Sequence, residues 1–219
     1  MRLPQNREMS VHKYINQYQN MKIVTVTGYK GGVAKSTTAI HVATFFSELG
    51  QTILVDGDPN RTSLSWAERG SFPFSVVSEK QAMKSIGGND YVVIDTPARP
   101  DTSDLQELAI GCDLLILPTT PDVVSLEPML QTAEDLGETA TFRFLITIVP
   151  PYPSKEGEVM KQELSSSNVP IFETLIRRTA GYQKAALAGV PIRDLNNSDM
   201  RKAWRDYKEV GKEILEILK

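Results

Sequence analysis

Two lysines five residues apart, Lys30 and Lys35, bracket a glycine pair in the stretch KIVTVTGYKGGVAKSTT, residues 22–38. Gly31 and Gly32 carry no side chains, so successive backbone N–H groups can turn inward there around phosphate oxygens. Val33 and Ala34 complete the loop, Lys35 adds a mobile positive charge for β- and γ-phosphates, and the Ser36 hydroxyl stands where Mg²⁺ would sit. Thr37 follows in the first turn of a helical pattern, whose positive end also favours phosphate. Three carboxylates have the spacing to complete such a site. Asp56 and Asp58 end the run QTILVDGD, and because alternate residues of a strand share a face, both are expected to look toward the loop. Asp95 ends the apolar run YVVID and is expected to contact Mg²⁺ through water. These residue types suit the binding of a nucleoside triphosphate as its Mg²⁺ complex.

Such groups need strands that end at them. Ile23, Val24 and Val26 read as a buried strand, and Ala39, Ile40, Val42, Ala43, Phe46 and Leu49 then recur at helical spacing up to Gly50. Further strands are expected at 51–58, 74–77, 91–95, 113–118, 142–149 and 170–176. Helices are expected between them, at 78–86, 104–110, a segment ending at Gly137, and 157–165. This alternation predicts an α/β fold, a mostly parallel, doubly wound sheet flanked by helices that binds its ligand at the carboxyl ends of the strands. The last helix is expected to begin near Ser198, acting as N-cap, and to dock an apolar face of Trp204, Tyr207, Val210, Ile214, Leu215 and Leu218 on the sheet. Arg201, Arg205, Lys208 and Lys212 fall together at the margin of that face, with Glu209, Glu213 and Glu216 beside them to relieve their repulsion.

A chain of 219 residues suits one such domain over residues 21–219. Residues 1–20 are polar, contain Pro4 and lack sustained apolar periodicity, so they are expected to be an extension, mobile or weakly held. No apolar run approaches the roughly 18 residues of a membrane span, and a soluble cytoplasmic protein is expected. The lone Cys112, beside an apolar strand, excludes a disulfide framework and is expected to be a small buried hydrophobe. His12 and His41 have no companions at metal-ligand spacing, so no zinc site is expected. A net charge of −3 argues against a globally basic nucleic-acid-binding domain and leaves room only for a local patch.

The loop departs from the ordinary GxxxxGK[ST] pattern, whose outer glycines would fall on Tyr29 and Ala34. KGGVAKST instead resembles the deviant Walker A box, KGGxxK[ST], of the ParA and MinD family of dimeric ATPases. VDGDP resembles that family's Walker A-prime box, DxDP, and VVIDTP its Walker B strand with a DxP ending. The resemblance covers most of residues 21–195 and rests on the ordered set of boxes. It implies the family's P-loop fold, and that Lys30 reaches across a sandwich dimer to the phosphates held by the partner subunit. It also implies that Asp58 positions or polarises the attacking water while Asp56 helps hold hydrated Mg²⁺. Where the family usually has glycine before the second lysine, this chain has Ala34. The late segment RRTAGYQKAALAGVPIRD, residues 177–194, resembles the family more weakly, and adenine contacts are expected near it and near the preceding Pro-rich loop.

The function this resemblance implies is DNA partition of the short plasmid type. An ATP-bound homodimer would coat nucleoid DNA non-specifically, and a ParB-like or small adaptor protein on the cargo would stimulate slow hydrolysis to ADP and phosphate. Family members bind DNA through C-terminal basic residues, which makes Arg201, Arg205, Lys208 and Lys212 the expected contacts. A related positioner of carboxysomes or other large cargo would use the same residues. A MinD-like membrane ATPase should end in a basic amphipathic segment, whereas Glu209, Glu213 and Glu216 interrupt this one, so no stable membrane association is expected. An iron–sulphur reductase of the superfamily needs two cysteines per subunit; a small-molecule ligase stays open as an alternative.

Overall fold

The apolar runs that end at the chemistry-bearing residues come together in one six-stranded sheet in the computed structural model, which describes residues 21–122, 126–137 and 140–219. The strands are β1 (Lys22–Gly28), β2 (Thr52–Asp56), β3 (Ser75–Ser78), β4 (Tyr91–Ala98), β5 (Leu114–Thr119) and β6 (Phe142–Ile146). Their order is β3-β2-β4-β1-β5-β6 and every neighbouring pair is parallel. The helices are α1 (Lys35–Phe46), α2 (Thr62–Ala67), α3 (Glu79–Ser85), α4 (Thr102–Ile110), α5 (Leu126–Leu136), α6 (Glu156–Ser166), α7 (Gly181–Ala188) and α8 (Ser198–Ile217).

Strand alternation sends the side chains to two faces. On one, Val24, Val26, Leu54, Val93, Leu114, Ile116 and Leu145 join Ile40 and Phe46 of α1 with Ala203, Tyr207, Val210 and Ile214 of α8 in a single core. The two helices approach so closely at Gly211 that a Cβ there would lie 2.4 Å from the Phe45 ring. The other face carries two separate clusters. Helices α4, α5 and α6 cover β5 and β6 through Leu105, Met129, Leu136, Met160 and Leu164. Over β2 and β4 a smaller cluster of Ile53, Val55 and Val92 is joined by partly buried Ile23, Ile94, Ala82 and Ile86.

Several expectations change. The segment 170–176 is not a strand: it meets β6 at one isolated bridge, Phe144 with Ile171, and through Ile176 N–H to the Ile146 carbonyl (2.9 Å), while a second bridge, Val149 with Arg177, lies beyond both. The cause is Glu213 of α8, whose carboxylate accepts from the amides of Glu173 (2.7 Å) and Thr174 (3.0 Å) and so removes them from any ladder. Glu213 therefore does not screen the basic strip. Glu209 pairs with Lys212 (2.8 Å), and Glu216 pairs with Lys219. The cap of α8 is Asn197, whose side chain accepts from Asp199 N–H (2.8 Å), while Ser198 is the first helical residue. Helix α1 ends at Phe46, leaving Leu49 half exposed. Helix α4 begins earlier than its apolar pattern, capped by Asp101, which accepts from Asp104 N–H (2.8 Å). Cys112 is only partly buried. The expectations for residues 1–20 lie outside the described residues.

Candidate active site

The loop between β1 and α1 stands over the carboxyl ends of the strands, and it is pinned from below. Buried Val33 offers its carbonyl to the Thr147 hydroxyl (3.0 Å), which also lies 3.0 Å from the carbonyl of Thr119 at the end of β5. Gly32 (φ 82°) and Ala34 (φ 66°) both adopt the left-handed conformation, natural for glycine but costing alanine about 1–2 kcal/mol. No side chain caps α1, so its first-turn amides are left for a ligand.

The loop forms one wall of a cleft of about 740 Å³. Gly31, Gly32, Ala34, Lys35, Ser36 and Thr37 line it, Asp58 and Asn60 lie opposite, and Ile148, Ile176, Arg177, Thr179 and Gln183 extend it. Lys35 is buried within it. Lys30 is not among the lining residues: it is exposed, with its Nζ 3.4 Å from Asp122 Oδ2. The two lysines thus part company on opposite sides of the loop.

The three aspartates also divide. Asp95, at 0% exposure, accepts from the Ser63 hydroxyl through Oδ2 (2.8 Å), while its Oδ1 is buried without a hydrogen-bond partner among the described residues. Burial pushes its carboxyl up to about 6; the Ser36 and Ser63 hydroxyls oppose this, and Asp56 and Asp58 add to it by repulsion. Asp58 lines the cleft and accepts from both the backbone and the side-chain amide of Asn60 through Oδ1 (2.9 Å each). Asp56 departs from expectation. Strand β2 ends at Asp56, so the alternation that was to align it with Asp58 stops there. Its Oδ1 accepts from Asp58 N–H (3.1 Å) and its Oδ2 from Leu64 N–H (2.8 Å), which holds the turn and the start of α2 instead of facing the cleft.

Among the described residues no three His, Cys, Asp or Glu side chains converge as a cation cage. The orphaned Asp95 Oδ1 beside Ser36 instead fits a Mg²⁺ ion that keeps waters and takes phosphate oxygens as ligands.

Sequence reasoning missed the ties that hold this site. The Tyr207 and Thr38 hydroxyls, on α8 and α1, lie 3.0 Å apart. His41, fully buried and stacked on Tyr207, accepts from Ile192 N–H at Nε2 (3.1 Å) and so donates from Nδ1 to the carbonyl of Thr37 (2.6 Å). Arg177 on the cleft wall makes a bidentate pair with Asp206 of α8 (2.6 and 2.7 Å). Only the weak similarity of residues 177–194 pointed to that wall. The basic strip lies on α8 away from the cleft; Arg201 and Arg205 are exposed and Lys208 partly so, and none of the three has an ion-pair partner among the described residues.

Comparison with known proteins agrees with this geometry. The chain is 32% identical over 202 residues to the maintenance of carboxysome distribution protein A of Gloeobacter kilaueensis, covering 88% of this chain and 94% of that protein. It is 29% identical over 178 residues to Protein ParA of Rhizobium radiobacter, covering 73% and 80% respectively. In fold it resembles the septum site-determining protein MinD of Pyrococcus horikoshii OT3, solved with Mg-ADP, at a TM-score of 0.65 and 16% identity over 89% of this chain and 96% of that one. The pattern of the CobQ/CobB/MinD/ParA nucleotide binding domain matches residues 24–192, and with the phosphate loop, aspartates and parallel sheet in place, the chain belongs to that family.

Proposed function

We propose that this protein is an ATP-hydrolysing dimer that positions a large cargo, of the carboxysome kind, over nucleoid DNA. Similarity to the carboxysome-distribution protein, higher in identity and coverage than that to ParA, favours this reading over the plasmid partition expected from sequence. The observation that carries it is the separation of the two lysines. Lys35 is buried inside the cleft, whereas Lys30 stands outside it in an exposed pair with Asp122, which it would leave to meet a nucleotide held by a second subunit. Gly31, Gly32, Ala34 and the uncapped amides of α1 would cradle the phosphates with Lys35. Ser36 and Asp95 would hold Mg²⁺, whose charge neutralises the phosphate oxygens.

Asp58, held at Oδ1 by Asn60, would orient water with Oδ2. No base stronger than a carboxylate lines the cleft, so the rate must come from placing water and neutralising charge, and turnover should be slow. Asp56 would act indirectly, by fixing the turn that carries Asp58.

The DNA contact proposed is the strip of Arg201, Arg205 and Lys208, with Lys212 weakened by its pairing to Glu209. Dimerisation doubles the strip, and a cargo-bound adaptor would then trigger release. Among the described residues no helix is long and apolar enough to cross a membrane.

One experiment tests the scheme: sizing chromatography with ATP and Mg²⁺ alongside anisotropy of a labelled random duplex. Wild type should dimerise and bind DNA with a log–log salt slope of about −0.9 per phosphate contact. Lys30→Ala should bind ATP yet stay monomeric, and Arg205→Ala/Lys208→Ala should dimerise yet bind DNA weakly. An ATP-dependent dimer in Lys30→Ala would remove the trans role; wild-type DNA affinity in the double variant would remove the strip.

A further inference from the structure

On the face of the sheet opposite α1 and α8, a groove of about 600 Å³ runs between α3 and α4. Thr25, Val55, Ile94 and Thr96 form its floor, and Ala82, Ile86 and Leu108 its apolar walls. The helices flanking it belong to separate clusters, α3 to that of Ile53, Val55 and Val92, and α4 to that of Leu105 and Leu115, so among the described residues no helix covers the sheet between them. Ile23, Ile94, Ala82 and Ile86 are left only partly buried as a result. The rim is acidic, with Glu79, Asp104 and Glu107 against Arg99 alone.

We propose that this groove is the seat of the chain's own residues 1–20. Four observations converge on that occupant. The chain enters the described structure at Met21, which packs against the same cluster as Ala82, Ile86 and Ile94, so the segment is delivered to the groove by its own connection. Its length is ample: α4 is nine residues and rises on the order of 13 Å, a span that 20 residues cover in any backbone conformation. Its charge is complementary, since Arg2, Arg7 and Lys13 face a single acid, Glu8, and meet the rim of Glu79, Asp104 and Glu107. Finally, Val11, Tyr14, Ile15 and Tyr18 supply apolar side chains to lie against the floor and walls. Tethering raises the local concentration of such a segment to the millimolar range, which suffices for a groove of modest apolar area. A separate cationic partner, or a second copy of this chain, would need higher affinity to compete.

The test is hydrogen exchange by mass spectrometry on three versions of the protein: the full chain, a chain lacking residues 1–20, and the full chain carrying Tyr14→Asp with Ile15→Asp. ATP binding serves as the control for an intact fold. Amides of 82–86 and 108–111 should exchange roughly tenfold faster in both variants than in the full chain, since covered segments open less often. A synthetic peptide of residues 1–20, added to the truncated chain, should restore the protection. Equal exchange in all three versions would overturn the proposal. So would protection in the full chain that rises with protein concentration, which would assign the groove to a second copy.

Discussion

On the face under α1 and α8, Val24, Val26, Leu54 and Val93 are sealed from solvent at 0% exposure. On the reverse of the same strands, Ile23 and Ile94 are only partly covered. Strand alternation assigns side chains to both faces equally; the helices decide whether burial is completed. The closed face is also where the nucleotide machinery is anchored, because α1 carries the phosphate loop and α8 grips both α1 and the cleft wall through Tyr207 and Asp206. A rigid support suits groups that must hold phosphate oxygens within fractions of an ångström. The open face carries none of the groups that line the cleft except Ala98, at its upper edge, and can accept a covering segment without disturbing them.

Paired truncations measure that difference most strongly. Ile40→Ala, on the closed face at 0% exposure, should cost about 3–4 kcal/mol in urea unfolding, within the usual range for emptying a packed isoleucine site. Ile94→Ala, partly exposed in the groove, should cost about 1 kcal/mol when measured in the chain lacking residues 1–20, since less apolar surface leaves water when it folds. Equal losses in that truncated chain would erase the distinction, whereas a larger loss for Ile94→Ala in the full chain than in the truncated one is the result expected if residues 1–20 cover the groove.

A pH titration of stability, read as the difference between wild type and His41→Gln so that the opposing titration of Asp95 cancels, probes the closed face. His41 is held neutral by burial, which lowers its pKa from 6.5 to about 4, against the opposing pull of the Thr37 carbonyl and with a small added push from Arg193. The folded pKa is depressed, so the unfolded chain binds the proton more readily. The contribution of His41 is therefore full above pH 6.5 and is lost as pH falls toward 4, by about 3 kcal/mol. The stability of wild type relative to His41→Gln should fall between pH 7 and pH 4.5. A difference that does not change with pH would mean that the ring is not sealed between Tyr207 and the Thr37 carbonyl.

The site and its supports were legible to different degrees. A phosphate loop must present glycine amides, a lysine and a hydroxyl in contiguous residues, so Gly31 to Thr37 could be read directly, as could the strands that lead into the Asp56–Asp58 pair and into Asp95. The parallel order followed from the alternation of strands and helices. What stayed hidden depends on partners far apart in the chain. Nothing local marks Thr147 as the tie beneath Val33, or Glu213 as the group that takes the amides of Glu173 and Thr174. Asp56 was misread because two residues of spacing imply a shared face only while the strand continues, and β2 stops at Asp56. The short helix α2 escaped notice because its start is set by the long-range acceptor Asp56 at Leu64 N–H, with no capping side chain of its own.

The smallest effect concerns strain at the junction of loop and closed face. Ala34 sits at φ 66° and ψ 31°, immediately before a helix whose residues Ala39, Ile40, Val42 and Ala43 are all fully buried. Strain of this kind persists only where the surroundings over-determine the backbone, and α1, clamped by the sheet below and α8 above, does so. Glycine would relieve about 1–2 kcal/mol of left-handed strain, while its greater freedom in the unfolded chain would return roughly 0.5–1 kcal/mol. Ala34→Gly should therefore raise stability by about 0.5–1 kcal/mol in urea unfolding, with the sheet contacts of α1 unchanged. Arg99 sits at φ 63° beside the open groove, where the rim can relax around it. Arg99→Gly should gain less, or nothing. A larger gain at Arg99 than at Ala34 would show that the strained backbone is held by the open side of the molecule, and would reverse the order of rigidity drawn between the two faces.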